Sequence, residues 1–191
     1  LYYKDFDDNG SVDPILTFYI QGKSYPYVTR DELQEQVSMM RTRFTDYKSY
    51  ADATLQDIFT PAELSGAGRL TANYLQTAYF ESSANGRFVE RKLPMEVQYS
   101  PVYAIASLDY NKDGHKDVLL GGNISQARLR FGKYDANYGM LLQGNGKGGF
   151  TYIPQVKSGF KVNGDVRSIL QVNNTVLFGL NQQKIKAYKT K

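Results

Sequence analysis

The stretch DYNKDGHKD, residues 109–117, decides the fold prediction for this chain. Oxygen-bearing side chains occupy its positions 1, 3, 5 and 9, and Gly114 occupies position 6. In a cation-binding loop, alternate residues turn side-chain oxygens inward, the backbone carbonyl at position 7 adds a ligand, and glycine permits the sharp turn. The stretch DFDDNGSVD, residues 5–13, has the same spacing.

Each of these loops is predicted to bind one calcium ion, because clustered carboxylates repel one another unless a cation neutralises them. The alternative is a pair of turns that bind nothing, since Asp, Asn and Gly are also the commonest turn residues. The predicted ligands of the first loop are Asp5, Asp7, Asn9, the Ser11 carbonyl and Asp13, and those of the second are Asp109, Asn111, Asp113, the His115 carbonyl and Asp117.

An EF-hand loop begins in the same way but needs a bidentate glutamate at position 12 and a helix on each side. Position 12 is Leu16 in the first loop and Leu120 in the second. Each loop instead runs into a short apolar stretch, residues 14–20 and 118–120, of the kind that forms a strand. The sequence therefore predicts a cation loop followed by a β-strand, twice.

A D-x-[DN]-x-[DN]-G-x-x-D loop before an apolar strand resembles the FG-GAP (or VCBS) repeat, the blade of integrin-α-like β-propellers. The segments 25–33, 44–51, 57–60 and 146–150 also look like the C-terminal region of bacterial VCBS repeat proteins of the ASPIC/UnbV-associated type. The resemblance covers nearly the whole chain. It implies an exported, cell-envelope or surface protein with an integrin-α-like propeller, and it implies no established biochemical activity.

Internal repetition supports the blade interpretation. Phe88 and Phe150 follow similar Asn-Gly hairpins and lie 62 positions apart. A period of roughly 40–60 residues with several strands per unit is typical of propeller blades. In the second copy the tight turn at 173–175 replaces the calcium loop. Calcium is therefore expected to stabilise some blades without being required by all of them.

The predicted fold is mostly β, with about three blades in 191 residues. A closed propeller needs at least ~4 blades, and an open arc leaves bare strand edges. Residues 1–191 are therefore expected to be part of one propeller domain, an incomplete ring whose further blades lie upstream in a longer chain.

A helical insertion is predicted over about residues 29–66. Thr29 and Glu32 have the spacing of a capping box, and residues 49–52 are expected to cap a second short helix. Leu33, Val37, Met40 and Phe44 recur on one helical face. This apolar stripe is expected to pack on the β-sheet, and the alternative is a helix that docks a partner.

Composition excludes several other functions. The chain has no cysteine, which removes disulfides, thiolate metal sites and cysteine nucleophiles. Apart from a tail of Lys184, Lys186, Lys189 and Lys191, the Lys and Arg residues behind its net charge of +4 are scattered, so we expect no nucleic-acid partner. No apolar run approaches the ~20 residues of a membrane span.

Two further sequence features resemble functional motifs but do not predict a site. Residues 144–149 fit G-x-G-x-x-G, but an apparent strand rather than a helix follows, so a dinucleotide site is not expected. His115 is the only histidine, and at position 7 of a calcium loop it is not free for a catalytic triad or a zinc site.

The expected function is that of an extracytoplasmic, non-enzymatic calcium-binding module with a binding or scaffolding role. Its ligand, a protein or a glycan, is not identified by the sequence. Two alternatives stay open at this point. The chain is the accessory propeller of a larger enzyme that acts on polysaccharide, or it is an adaptor that docks partners through the helical insertion.

Overall fold

The computed structural model describes residues 1–129 and 132–190. Strands account for 35% of the chain and helices for 18%, so the prediction of a mostly β protein is confirmed. The strands form several small antiparallel sheets, and none of the sheets described closes on itself. The chain divides into two compact units, Leu1–Tyr74 and Leu75–Lys191, called here the first and second units.

The first unit contains two small sheets. One is three-stranded with the order β2-β1-β5, and the other is the hairpin β3-β4. Their bounds are β1 Tyr2–Lys4, β2 Asp13–Ile15, β3 Thr17–Ile20, β4 Lys23–Pro26 and β5 Gly68–Arg69.

Five short helices occupy the predicted insertion between β4 and β5. The Thr29 hydroxyl and the Glu32 carboxylate form the predicted capping box of the first helix. Residues 49–52 do not cap a helix as expected, because residues 47–51 are themselves helical and Thr54 caps the next helix together with Asp57. The bounds are α1 Arg30–Gln36, α2 Met40–Arg43, α3 Tyr47–Ala51, α4 Leu55–Ile58 and α5 Pro61–Leu64.

The predicted apolar stripe of the insertion is buried inside the first unit. It packs in one cluster with Phe6 of the first loop and Ile15 of β2. The rings of Phe6 and Phe59 stack with their centroids 4.3 Å apart. The stripe therefore packs against the strands of its own unit, as expected. Its members are Leu33, Val37, Met40 and Phe44, of which the first three have no exposed surface.

The second unit contains a hairpin β6-β7, a four-stranded sheet with the order β11-β10-β9-β8 and a three-stranded sheet with the order β12-β13-β14. A 3₁₀ helix at Met95–Gln98 precedes β8, and α6 at Gln155–Ser158 follows β11. The strand bounds are β6 Tyr79–Ser82, β7 Phe88–Arg91, β8 Val102–Leu108, β9 Asp117–Gly122, β10 Met140–Gly144, β11 Phe150–Ile153, β12 Val166–Val172, β13 Thr175–Leu180 and β14 Lys186–Lys189.

The two larger sheets of the second unit share one apolar core. Leu119 of β9 and Val166 of β12 have no exposed surface and lie in the same cluster. Contact between the sheets is most extensive where β12 passes β8. Gly121 lets the Val166 side chain pack directly on the β9 backbone, because a Cβ atom there would lie 2.5 Å from Val166 Cγ1. The two sheets are thus packed tightly where β12 meets β8 and β9.

Substituting Gly121→Ala tests this close approach. The added methyl group overlaps the Val166 side chain, and overpacking of this kind costs about 1–3 kcal/mol. We expect urea denaturation to show a lower free energy of unfolding for Gly121→Ala. The double variant Gly121→Ala/Val166→Ala should recover part of this loss relative to the sum of the single variants. Simple additivity of the two changes would contradict the contact.

A partly exposed ion pair links two helices of the first unit. Arg43 donates from Nη2 to Glu63 Oε1 at 2.8 Å, and its Nη1 also donates to the Ile58 carbonyl. The guanidinium, with help from Thr60, lowers the pKa of Glu63 from 4.5 to about 2. A lowered carboxyl pKa stabilises the fold above the unfolded-state pKa, and that contribution is lost as the pH falls through the folded-state pKa.

We therefore expect Glu63→Gln to be destabilising near neutral pH, with the difference from the parent chain shrinking as the pH falls from 4.5 to about 2. Glutamine can keep the capping box with Thr60, so the substitution removes the charge and leaves the cap. Thermal melts of both chains across this pH range measure the difference. A difference that stays constant down to the lowest pH would show that the charge contributes nothing.

Candidate metal centre

The two predicted cation loops occupy equivalent places in two antiparallel hairpins. The first joins β1 to β2, where Lys4 pairs with Asp13, and the second joins β8 to β9, where Leu108 pairs with Asp117. In both, position 9 of the loop pairs with the residue just before position 1. The prediction that each loop leads into a strand is therefore confirmed.

The aspartate at position 1 closes each loop. In the first loop, Asp5 Oδ1 accepts from the Asn9 N–H at 3.0 Å, and Asp5 Oδ2 accepts from the Gly10 N–H at 2.8 Å. The second loop repeats both bonds at the same positions. Asp109 Oδ1 accepts from the Asp113 N–H at 3.1 Å, and Asp109 Oδ2 accepts from the Gly114 N–H at 3.0 Å.

The backbone conformation is also repeated. Position 4 lies in the left-handed region in both loops, with φ of 56° at Asp8 and 61° at Lys112. Position 6 has φ of 88° at Gly10 and 84° at Gly114. An L-residue with a side chain adopts such angles at a cost, so the glycine at position 6 is needed for its backbone.

Two more hydrogen bonds recur in both loops, whereas position 3 differs, because Asp7 accepts from Ser38 and Asn111 accepts from the Asp113 N–H. The N–H at position 7 donates to the side-chain oxygen at position 5, and the N–H at position 2 donates to Oδ2 at position 9. In the first loop these bonds are Ser11 to Asn9 at 2.8 Å and Phe6 to Asp13 at 2.9 Å. In the second they are His115 to Asp113 at 2.8 Å and Tyr110 to Asp117 at 2.8 Å.

The first loop gathers three carboxylates. Asp5, Asp7 and Asp13 each offer an oxygen, and these oxygens lie within 4.8 Å of one another. Asp7 Oδ2 accepts from both the N–H and the hydroxyl of Ser38 at 3.0 Å, whereas Asp7 Oδ1 is buried and accepts no hydrogen bond. A buried carboxylate oxygen without a donor, in a group of three carboxylates, fits a cation as its missing partner.

Electrostatics single out Asp13 within this group. Burial raises its pKa, the charges of Asp7 and Asp5 raise it further, and the Phe6 N–H opposes them. The Ser38 N–H instead lowers the pKa of Asp7. The charge of ionised Asp13 is thus less compensated by the protein than that of Asp7, and a bound cation would relieve it directly.

In the second loop, hydrogen bonds from the protein compensate more of the negative charge of the carboxylates. Asp117 is completely buried, and its Oδ1 accepts from the Gly144 N–H of β10 at 2.9 Å in addition to the bond from Tyr110. Asn111 Nδ2 donates to Asp113 Oδ2 at 2.7 Å. The His115 N–H, followed by the Asn111 amide, lowers the pKa of Asp113. Within residues 1–129 and 132–190, only the first loop brings three acidic side chains close enough together to share a metal ion.

Three contacts at these loops lie beyond the reach of sequence patterns. Ser38, between α1 and α2, holds Asp7 of the first loop. Gly144 of β10 holds Asp117 of the second. The His115 ring packs against the backbone of Gly146, where a Cβ atom would lie 2.4 Å from His115 Nδ1. Segments distant in sequence therefore support both loops, and no local sequence motif predicts these contacts.

Comparison with known proteins gives no relative to argue from. The chain matches no family model, no curated protein and no solved structure. Among the described residues, no helix has the length and apolar character needed to cross a bilayer.

The different roles of the position 9 aspartates predict different effects of the same substitution. Asp13→Asn keeps an acceptor for the Phe6 N–H and removes a poorly compensated charge, so stability without calcium should be unchanged or higher. Asp117→Asn can accept only one of the two N–H bonds, and an unsatisfied buried donor costs about 1–3 kcal/mol. Urea denaturation in calcium-free buffer compares the two variants. Equal losses would contradict this assignment of roles.

Proposed function

We propose that this chain is part of an extracytoplasmic, FG-GAP/VCBS-like β-propeller in which the two loops bind structural calcium ions. Its role is to bind or scaffold a protein or glycan ligand, without catalysis of its own. One observation carries the proposal. Two loops in separate units, with different residues at six of nine positions, share four backbone-to-side-chain hydrogen bonds and two left-handed positions, and both carry side-chain oxygens at positions 1, 3, 5 and 9.

Calcium is the cation that best suits these ligands. Ca²⁺ takes six to eight oxygen ligands from carboxylates, amide and backbone carbonyls and water. Each loop offers carboxylates, an asparagine and the carbonyl at position 7, which is Ser11 in the first loop and His115 in the second. Zinc prefers sulfur and nitrogen ligands, and the chain has no cysteine and a single histidine.

The arrangement of sheets in the second unit supports the propeller interpretation. The sheets begin with the hairpins β8-β9 and β12-β13 and add their later strands in chain order. Their contact is most extensive between β8 and β12, the first strand of each sheet. Propellers are built from four-stranded antiparallel sheets around a central channel, and the sheet β11-β10-β9-β8 has the form of such a blade.

The hairpin β12-β13 pairs its strands without a cation loop. β12 and β13 are joined by a tight turn at Asn173, with φ of 52°. The hairpins β1-β2 and β8-β9 have a cation loop at the same place. The strand pairing thus forms without an ion. An adaptor role through the helical insertion has less support, because the apolar stripe it would offer is buried.

Calcium titration tests the proposal. Isothermal calorimetry should show two ions per chain, one for each loop. With calcium about 20-fold above the dissociation constant, each site adds about 2 kcal/mol of stability. The thermal midpoint should therefore rise with calcium and fall with a chelator, and identical midpoints would contradict a structural role for the ion.

Matched variants assign each ion to its loop. Asp7→Asn gives the first loop the residue that the second has at position 3, and Asp113→Asn gives the second loop the residue that the first has at position 5. Each exchange is therefore compatible with the loop backbone. We expect each variant to weaken one site and leave the other unchanged in the titration. Two unchanged sites in either variant would place the ions elsewhere.

A further inference from the structure

The second unit has a cavity of about 640 Å³ beside the second cation loop. Three lysines line it, and we call it the lysine pocket: Lys112 from the loop, Lys157 from α6 and Lys189 from β14. None of the described residues that line it is acidic. The pocket thus gathers positive charge from three separate parts of the chain.

The three lysine ammonium groups have no partner among the residues that the structure describes. Among residues 1–129 and 132–190, none of the three side chains forms a hydrogen bond or an ion pair. Three cations that share one cavity repel one another and attract anions. The pocket is therefore electrostatically complementary to a negatively charged ligand.

Lys112 is not explained by the cation loop. It occupies position 4, where the first loop has Asp8 in the same left-handed conformation, so the loop accepts either charge there. A lysine beside a bound dication opposes that ion electrostatically. An anion in the pocket would compensate both the lysine and the ion.

Aromatic rings form a firm wall of the same pocket. Phe160 packs against Tyr110 and Tyr188, with centroids 5.9 and 5.4 Å apart. The Tyr110 hydroxyl donates to the Ser158 carbonyl at 2.7 Å, and the Tyr188 hydroxyl accepts from the Lys161 N–H at 3.3 Å. Packing and hydrogen bonds therefore hold the two tyrosines in place before any ligand arrives.

We infer that the lysine pocket binds an acidic saccharide, a sugar unit that bears a carboxylate, sulfate or phosphate group. The cavity lies in the ~300–1,000 Å³ range of small-molecule sites. Sugar rings have apolar faces that can pack on tyrosine, hydroxyl groups that can bond to Ser158 and Thr190, and in acidic sugars a charge for the lysines. Nucleic acid fits less well, because it needs an extended basic stripe rather than one local cluster of three lysines.

The inference does not depend on an ion in the second loop, and its test is run in calcium-free buffer. Glucuronic acid, glucose and acetate are titrated into ¹⁵N-labelled protein and followed by NMR amide shifts. Glucuronic acid should give saturable shifts at Tyr110, Lys157 and Tyr188. Glucose lacks the charge and acetate lacks the ring, so neither should saturate over the same concentration range.

Substitutions locate the binding. One exposed ion pair is worth about 0.2–1 kcal/mol, so Lys157→Gln and Lys189→Gln should each weaken glucuronic acid binding by about 1.5- to 5-fold, and the double variant by more. Lys147→Gln is the matched control, because Lys147 is exposed on the β10-β11 hairpin outside the pocket. It should bind like the parent chain.

Several results would overturn the inference. If glucose bound as tightly as glucuronic acid, the charge would have no role in binding. If acetate bound as tightly, the pocket would recognise an anion and not a sugar. An equal loss in Lys147→Gln would show a general charge effect. Tighter binding of an oligothymidylate or of polyglutamate through the same lysines would replace the saccharide with a nucleic acid or an acidic peptide.

Discussion

The aspartate that opens each nine-residue loop is the constraint on which the hairpins depend. By accepting two backbone N–H groups four and five residues ahead, Asp5 and Asp109 reverse the chain and bring position 9 opposite the start of the turn. The strands on either side then pair in a fixed register. Because the same bonds recur in two units with different surroundings, the conformation is a property of the loop sequence itself.

The same turn that sets the register also concentrates negative charge. In the first loop the charge of Asp13 is opposed by burial and by two neighbouring carboxylates, and one buried oxygen of Asp7 has no donor. In the second loop, backbone and amide donors compensate more of the charge. The two sites therefore share a geometry but differ in how much a cation would gain on binding.

Contacts outside the loops connect them to the rest of each unit. Ser38 ties Asp7 to the helical insertion, and Gly144 ties Asp117 to β10. Any stabilisation that an ion gives to the first loop is thus passed to the segment that carries the buried apolar stripe. In the second unit it is passed to the sheet that packs against β12. The two loops are thus tied to segments that are distant in sequence.

Local patterns predicted local structure well here. The spacing of Asp, Asn and Gly anticipated both loops, and the Thr29–Glu32 spacing anticipated the start of α1. The cap expected at residues 49–52 was wrong, since several nearby residues can cap a helix and packing of Leu55 and Ile58 decides among them. Ser38, Gly144 and the lysine pocket depend on long-range contacts, which no short motif encodes.

The most direct test of the central claim is a long-wavelength anomalous difference map from crystals grown with millimolar calcium. It should show one strong peak in each loop, the first within coordination distance of Asp5, Asp7 and Asp13 and the second near Asp109 and Asp113. Both loops preserved in the same conformation with no peak in either would contradict the claim that they are calcium sites.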